Sequence, residues 1–202
     1  MNSLPRLIFF ATIFITGAAV LIFEVAAVRA LSPYFGASIY VISSVLTVIL
    51  AALSLGYYFG GRLADRRPEP GVLYIIIGMS GLVMNGLFYL SLHLFPIAGS
   101  VLPITFGPLI LAAVFFLMPA FLLGIDSPFV IKLLTTNDTE HNGAVVGSTF
   151  FWSTIGSIVG SLISGFVLIP YLGLDYTFVG TATFLSFISL CAAWVIRRHS
   201  QL

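Results

Sequence analysis

The chain has 202 residues, 59% of them hydrophobic and 7% charged, with a formal net charge of +1 at pH 7. Soluble domains carry about 25% charged residues, so this inventory cannot build a water-facing surface. The near-neutral balance also gives no reason to expect an acidic or basic partner, nucleic acid included.

The composition instead predicts an all-α membrane protein, because spanning a bilayer as a helix takes about 20 apolar residues. Met1–Arg6 followed by apolar Leu7–Phe23 has the outline of a signal peptide. The apolar run is longer than the usual ~7–15 residues and continues to Leu31 without a small-x-small cleavage site, so it reads as a retained first span.

Six spans follow from the polar, Gly and Pro punctuation, and together they make residues 1–202 a single domain. Span one is 6–31, closed by Ser32 and Pro33; span two is 37–61. Next comes a hinge at Gly56–Gly71, GYYFGGRLADRRPEPG, where the apolar run stops in glycines and drops into Arg62, Asp65, Arg66, Arg67 and Glu69. Span three is 71–94, ahead of Pro96 and a break at Gly99–Pro103. Span four, 104–134, is longer than a crossing needs and is interrupted at Gly124 and Pro128. The polar loop Thr135–Asn142 leads to span five, 143–169, ended by Pro170 and Gly173, and to span six, 176–196.

Arg6, Arg62, Arg66, Arg67, Lys132, Arg197 and Arg198 fall at one set of span ends, against Arg29 alone at the other. The positive-inside rule then puts both termini, the hinge and the Thr135–Asn142 loop in the cytoplasm of a cell-membrane protein. Tyr34, Tyr40, Tyr171 and Tyr176 would form an outer aromatic belt, and Tyr57, Tyr58, Tyr74 and Trp194 an inner one.

Chemistry-bearing residues are few. Three histidines and Cys191 show no metal-ligand spacing, no cofactor loop is present, and no nucleophile–base set stands out, so nothing points to catalysis. Glu24 lies deep in span one and Asp126 toward the inner end of span four, at different depths. A carboxylate at midspan costs ~2.5–3.5 kcal/mol on insertion scales and faces a cavity or a partner. Each could bind a cation, relay a proton or pair with another helix, and Asp126 could instead satisfy amides at a helix break. Arg29, five residues beyond Glu24, is badly placed to pair with it along the helix. Asn85 and His93 in span three have a structural reading beside a binding one.

Small residues crowd span five, with Gly156 and Gly160 as a GxxxG pair, and Gly56 and Gly60 make another in span two. Such pairs let helices approach closely, either against a second helical unit or within one bundle. The hinge likewise has two readings: arginines fixing topology with Asp65 as a local counter-charge, or a gate.

Gly61-Arg62-Leu63-Ala64-Asp65-Arg66 resembles the first half of the signature loop between helices two and three of the major facilitator superfamily. Pro68, Glu69 and Pro70 depart from its second half. The chain is more closely similar to the membrane domain of bacterial spermidine synthase-like proteins. That resemblance rests on Gly17, Glu24 and Arg29–Pro33, on Leu55–Tyr57 with Gly60–Arg66, on Gly124 and Pro128, and on Gly147 with Gly156–Leu174. It covers residues 7–175, and Asp126 departs from it, a neutral residue being expected there.

The resemblance implies a six-helix bundle like half of a facilitator, needing a copy of itself or a partner. By analogy, spans one and four would line a central cavity with Glu24 and Asp126 on its wall. Spans two and five would form the seam between halves at the GxxxG pairs, and Gly61, Arg62, Asp65 and Arg66 would belong to a cytoplasmic gate. A small cationic solute such as a polyamine is the implied cargo, with Glu24, Asp126 and Asn85 as binding residues. The alternative is a membrane scaffold for a separately encoded soluble synthase-like enzyme. In fused relatives an aminopropyltransferase-like domain follows the bundle; little sequence follows span six here, so that activity is not among the expectations.

Overall fold

The computed structural model describes residues 3–136 and 142–199, with side chains for 6–136 and 142–192. Every regular element among the described residues is helical: α1 Ser3–Phe35, α2 Ile39–Arg66, α3 Pro70–Val101, α4 Gly107–Gly124, α5 Asp126–Thr135, α6 Asn142–Ile163 and α7 Leu174–His199. A π-helical segment, Ser164–Leu172, joins α6 to α7. Taking α4 with α5, and α6 with the π-segment, gives six helices long and apolar enough to cross a membrane. Their outward side chains are large and apolar, as lipid contact requires: Leu50, Ile75, Leu82, Ile97 and Phe166 are all exposed.

Glycine ends two of the spans. Gly36 (φ 75°) stops α1 and Gly173 (φ 88°) stops the π-segment, both in the left-handed region that favours glycine. Elsewhere the helices run further than the punctuation suggests. α2 does not end at Gly61 but continues to Arg66, so the charged hinge is mostly the last turns of a helix and the turn itself is Arg67–Glu69. α3 passes through Pro96 to Val101. A proline late in a helix loses only one backbone bond, and membrane helices tolerate that. Span four does break where Gly124 suggests, at Ile125, whose amide bonds back to the Leu122 carbonyl at 3.2 Å in a tightened turn. Of the loop Thr135–Asn142, residues 137–141 lie outside the described residues, as do the side chains of Trp194, Arg197 and Arg198.

Three helix pairs carry most of the packing: α1 with α6, α2 with α4, and α3 with α7. The first two cross at small residues, where the backbones touch. A Cβ added to Gly56 would run into the Phe121 carbonyl and Gly124, and one at Gly60 into Ile125. On the other pair, a Cβ at Gly156 would meet the Phe14 carbonyl, and one at Gly160 the Ala18 carbonyl. Gly124 lies against Leu53 just as Gly17 lies against Ser153. The two crossings therefore match residue for residue. Phe14, Gly17 and Ala18 correspond to Phe121, Gly124 and Ile125, and Leu53, Gly56 and Gly60 to Ser153, Gly156 and Gly160, in unbroken register.

Both GxxxG pairs are consumed inside the bundle, which corrects the expectation that they form a seam with a second unit. Two buried cores fill the remaining space. One, at the end away from the hinge, is aromatic, built on Phe23, Phe88, Phe95, Phe115, Phe116 and Phe178. The other, at the hinge end, holds Ile13, Leu73, Tyr74, Leu123, Phe129 and Leu185.

Filling either crossing should separate its helices. Gly56→Val and Gly156→Val are each expected to lower unfolding stability by about 1–3 kcal/mol, the usual cost of overpacking. Gly86→Val, whose added Cβ meets nothing, should stay within about 1 kcal/mol of the natural protein. Denaturation of the purified protein in mixed micelles reads all three.

Candidate functional site

The break at Ile125 starts a new helix at Asp126 in the interior of the bundle. Asp126 is 1% exposed, and neither carboxyl oxygen has a hydrogen-bond partner. Thr16 on α1 lies beside the carboxyl, and Tyr74 on α3 is close enough to feel its charge. Thr16 turns its hydroxyl to the Ile13 carbonyl at 3.4 Å. Tyr74 shares a 3.0 Å hydrogen bond with Thr12, and its own carbonyl accepts a bond from Ser189 on α7. The result is a buried set of hydroxyls around one carboxyl, contributed by α1, α3 and α5.

Glu24 is elsewhere. It is half-buried and lines a groove of about 290 Å³ with Val25, Val28 and exposed Arg29 of α1 and Ile42 and Leu46 of α2. No ion pair joins Glu24 to Arg29 among the described residues, as their five-residue spacing predicts. Thr16, which faces Asp126, precedes Glu24 by eight residues, or about 12 Å along α1. The two acids therefore sit at different depths and do not share the wall of one cavity between spans one and four. That part of the expectation is corrected: Glu24 faces a groove between spans one and two, and Asp126 faces the packed core.

Asn85 is turned toward α7. Its side-chain amide donates a long 3.5 Å contact to the Thr183 hydroxyl, while its carbonyl oxygen has no partner. It comes near neither acid, and His93 accordingly contacts only the Tyr89 carbonyl one turn away, at 3.3 Å. Two further cavities are largely apolar. One, about 130 Å³, lies among the rings of the aromatic core, with Asp175 and Ser91 contributing to its lining. The other, about 460 Å³, runs along α1, the π-segment and α7.

At the hinge, Asp65 pairs with Lys132 at 2.7 Å, tying the last turn of α2 to α5. Arg62 lies over the Tyr58 ring, 4.1 Å from its centroid, and Arg66 is exposed. Asp65 is thus not a local counter-charge to the neighbouring arginines; its partner lies on another span. Sequence reasoning used Lys132 only for topology and missed this role. The signal was present: Lys132 is the only lysine in the chain, at the same membrane edge as Asp65. Gly61 leaves α2 open toward Pro128, whose Cβ is 3.9 Å from where a glycine Cβ would stand.

Over 176 residues the chain is 27% identical to polyamine aminopropyltransferase 2 of Streptomyces coelicolor, an alignment covering 85% of this chain and 31% of that protein. The chain thus spans less than a third of the relative's length. No family model matches it. No solved structure matches it either.

Both members of the Asp65–Lys132 pair are substantially exposed, at 66% and 40% of their side chains, so the bond is worth about 0.2–1 kcal/mol. A double-mutant cycle with Asp65→Asn and Lys132→Gln should return a coupling in that range at low salt. The coupling should shrink at high salt, because exposed charges are screened. Zero coupling at low salt would show that the pair does not hold α2 to α5.

Proposed function

We propose that this chain is one half of a facilitator-like transporter for a small cationic solute, of which a polyamine is the leading candidate. The single six-span domain works with a second half, in the simplest case another copy of itself. It lies in the cell membrane with both termini and the hinge on the cytoplasmic side.

The observation that carries this reading is the matched pair of helix crossings. Spans one and five meet as spans four and two do, at equivalent residues. That relation exchanges span one with four and span two with five, and it returns the pair of spans three and six to itself. Three crossings per repeat is an odd number, so the second repeat runs through the membrane in the opposite sense to the first. Inverted three-span repeats are the internal plan of a facilitator half.

Solute contact falls to Glu24, whose carboxylate opens onto a groove on the outside of this bundle. A second half laid over α1 and α2 would turn that groove into part of a central path. Asp65 with Lys132, flanked by Gly61, Arg62 and Arg66, then acts as a hinge-end latch between spans two and four. Asp126 and Asn85 face away from the path and take no part in holding the solute. The link to polyamines comes from the name of the Streptomyces coelicolor relative, and an acidic groove with apolar flanks suits an alkyl ammonium.

A second reading draws on that same name. Because the matching region is 31% of a protein called an aminopropyltransferase, the bundle would be the membrane anchor or scaffold of a separate, soluble spermidine synthase-like enzyme.

Uptake of labelled spermidine or putrescine into proteoliposomes tests the first reading. The natural protein should exceed empty vesicles, and Glu24→Gln should lower the initial rate about tenfold or more, as expected when a charge-assisted contact is lost. Uptake no greater than in empty vesicles would overturn transport and favour the scaffold. Uptake unchanged by Glu24→Gln would remove the α1–α2 groove from the path.

A further inference from the structure

The hinge-end core contains one group that neither solute contact nor helix packing explains. Asp126 is 1% exposed with both oxygens unpartnered. The elements packed around it supply hydroxyls and no positive charge. From α1 come Thr12 and Thr16, and from α3 comes Tyr74, held to Thr12 at 3.0 Å. Thr149 on α6 is spent on the Val145 carbonyl, and Ser189 on α7 on the Tyr74 carbonyl. Lys132, on the same helix as Asp126, is engaged by Asp65. No other lysine, arginine or histidine among the described residues lies within ion-pair distance of a carboxylate.

A carboxylate stripped of water, with no counter-ion and no more than a neighbouring threonine hydroxyl, is costly in so apolar a setting unless a positive charge shares the site. The surroundings limit what that charge can be. Leu123, Phe129 and Val130, close to Asp126 in the chain, belong to the buried core of this end, and none of the three cavities described above is lined by Asp126, so the setting does not suit an organic ammonium. A single carboxyl with no second acid beside it is too little for a divalent ion, and no cluster of three metal-ligating side chains occurs among the described residues. Hard oxygen donors around one negative charge suit a small monovalent cation.

We propose that Asp126, with Thr16, Thr12 and Tyr74 as accessory oxygens, binds one small monovalent cation, either a proton or a sodium ion. The site is separate from the Glu24 groove and does not depend on the transport reading. In a transporter it would hold the coupling ion, at the place where span four breaks and the two repeats meet.

Infrared difference spectroscopy on the purified protein in liposomes reads the site with no solute present. Two series are recorded, pH steps at fixed sodium and sodium steps at fixed pH, on the natural protein and on Asp126→Asn. A carboxylic-acid C=O band that shifts in D2O and is lost in Asp126→Asn identifies the proton. A carboxylate band that moves on sodium addition and is lost in Asp126→Asn identifies sodium. Thr16→Val keeps the carboxyl and the packing volume, and it should shift whichever band is found, so it serves if Asp126→Asn does not fold. An Asp126 carboxylate band indifferent to both series would overturn the proposal. So would the absence of any band that responds to either substitution.

Discussion

Backbone contact at two small-residue crossings is the constraint on which the rest of this structure depends. Lipid tails are as apolar as leucine, so no solvent force presses membrane helices together, and close van der Waals approach has to do so. Gly56 and Gly60 let α2 touch α4 and the start of α5, while Gly156 and Gly160 let α6 touch α1. With these contacts set, α3 and α7 close the bundle against each other. The two cores fill behind them, aromatic at one end and carrying Asp126 and its hydroxyls at the other. The break at Ile125 lies at the same crossing, where Gly60 meets Ile125.

Spending the small faces inside the bundle decides what is left outside. A second unit cannot approach over Gly56 or Gly156, since both are already covered. The outer surface is mostly large apolar side chains that lipid can solvate, and away from the span ends its charged side chains among the described residues are those of the groove, where Glu24 and Arg29 lie half-buried and exposed beside Ile42 and Leu46. A carboxylate at that depth costs ~2.5–3.5 kcal/mol if lipid is its neighbour. That cost is the physical argument for covering the α1–α2 face with protein, and it moves the proposed seam from the glycines to the acid.

Much of the fold was legible in the sequence because a bilayer imposes a length and a polarity on every crossing. Six spans could be counted from apolar runs, and Gly124 marked a true break. Helix ends were less legible. Charges after Gly61 look like an exit from helix, yet α2 persists to Arg66 because arginines at a membrane edge reach water from within a helix. The internal repeat went unread, although Phe14-x-x-Gly17 and Phe121-x-x-Gly124 and the two GxxxG pairs carry it in plain sight. Four matching residues in helices otherwise free to vary make a faint signal until contacts align them. The Asp65–Lys132 pair is a contact across 67 positions (132 − 65) that no local pattern encodes. The different depths of Glu24 and Asp126 were readable from rise per residue; which way each side chain faces was not, because that depends on the crossings.

The claim most open to direct test is that a second unit covers the groove beside Glu24. In a Cys191→Ala background, Leu46→Cys places a thiol on the groove's rim, and Leu82→Cys places one on the exposed face of α3; the two native leucines are 38% and 66% exposed. In a two-fold pair a residue close to the axis meets its own copy; with the axis running along the groove, mild oxidation in native membranes should link copies through Leu46→Cys and leave Leu82→Cys unlinked. Linkage at Leu82→Cys with none at Leu46→Cys would contradict the account and return the α1–α2 face to the lipid.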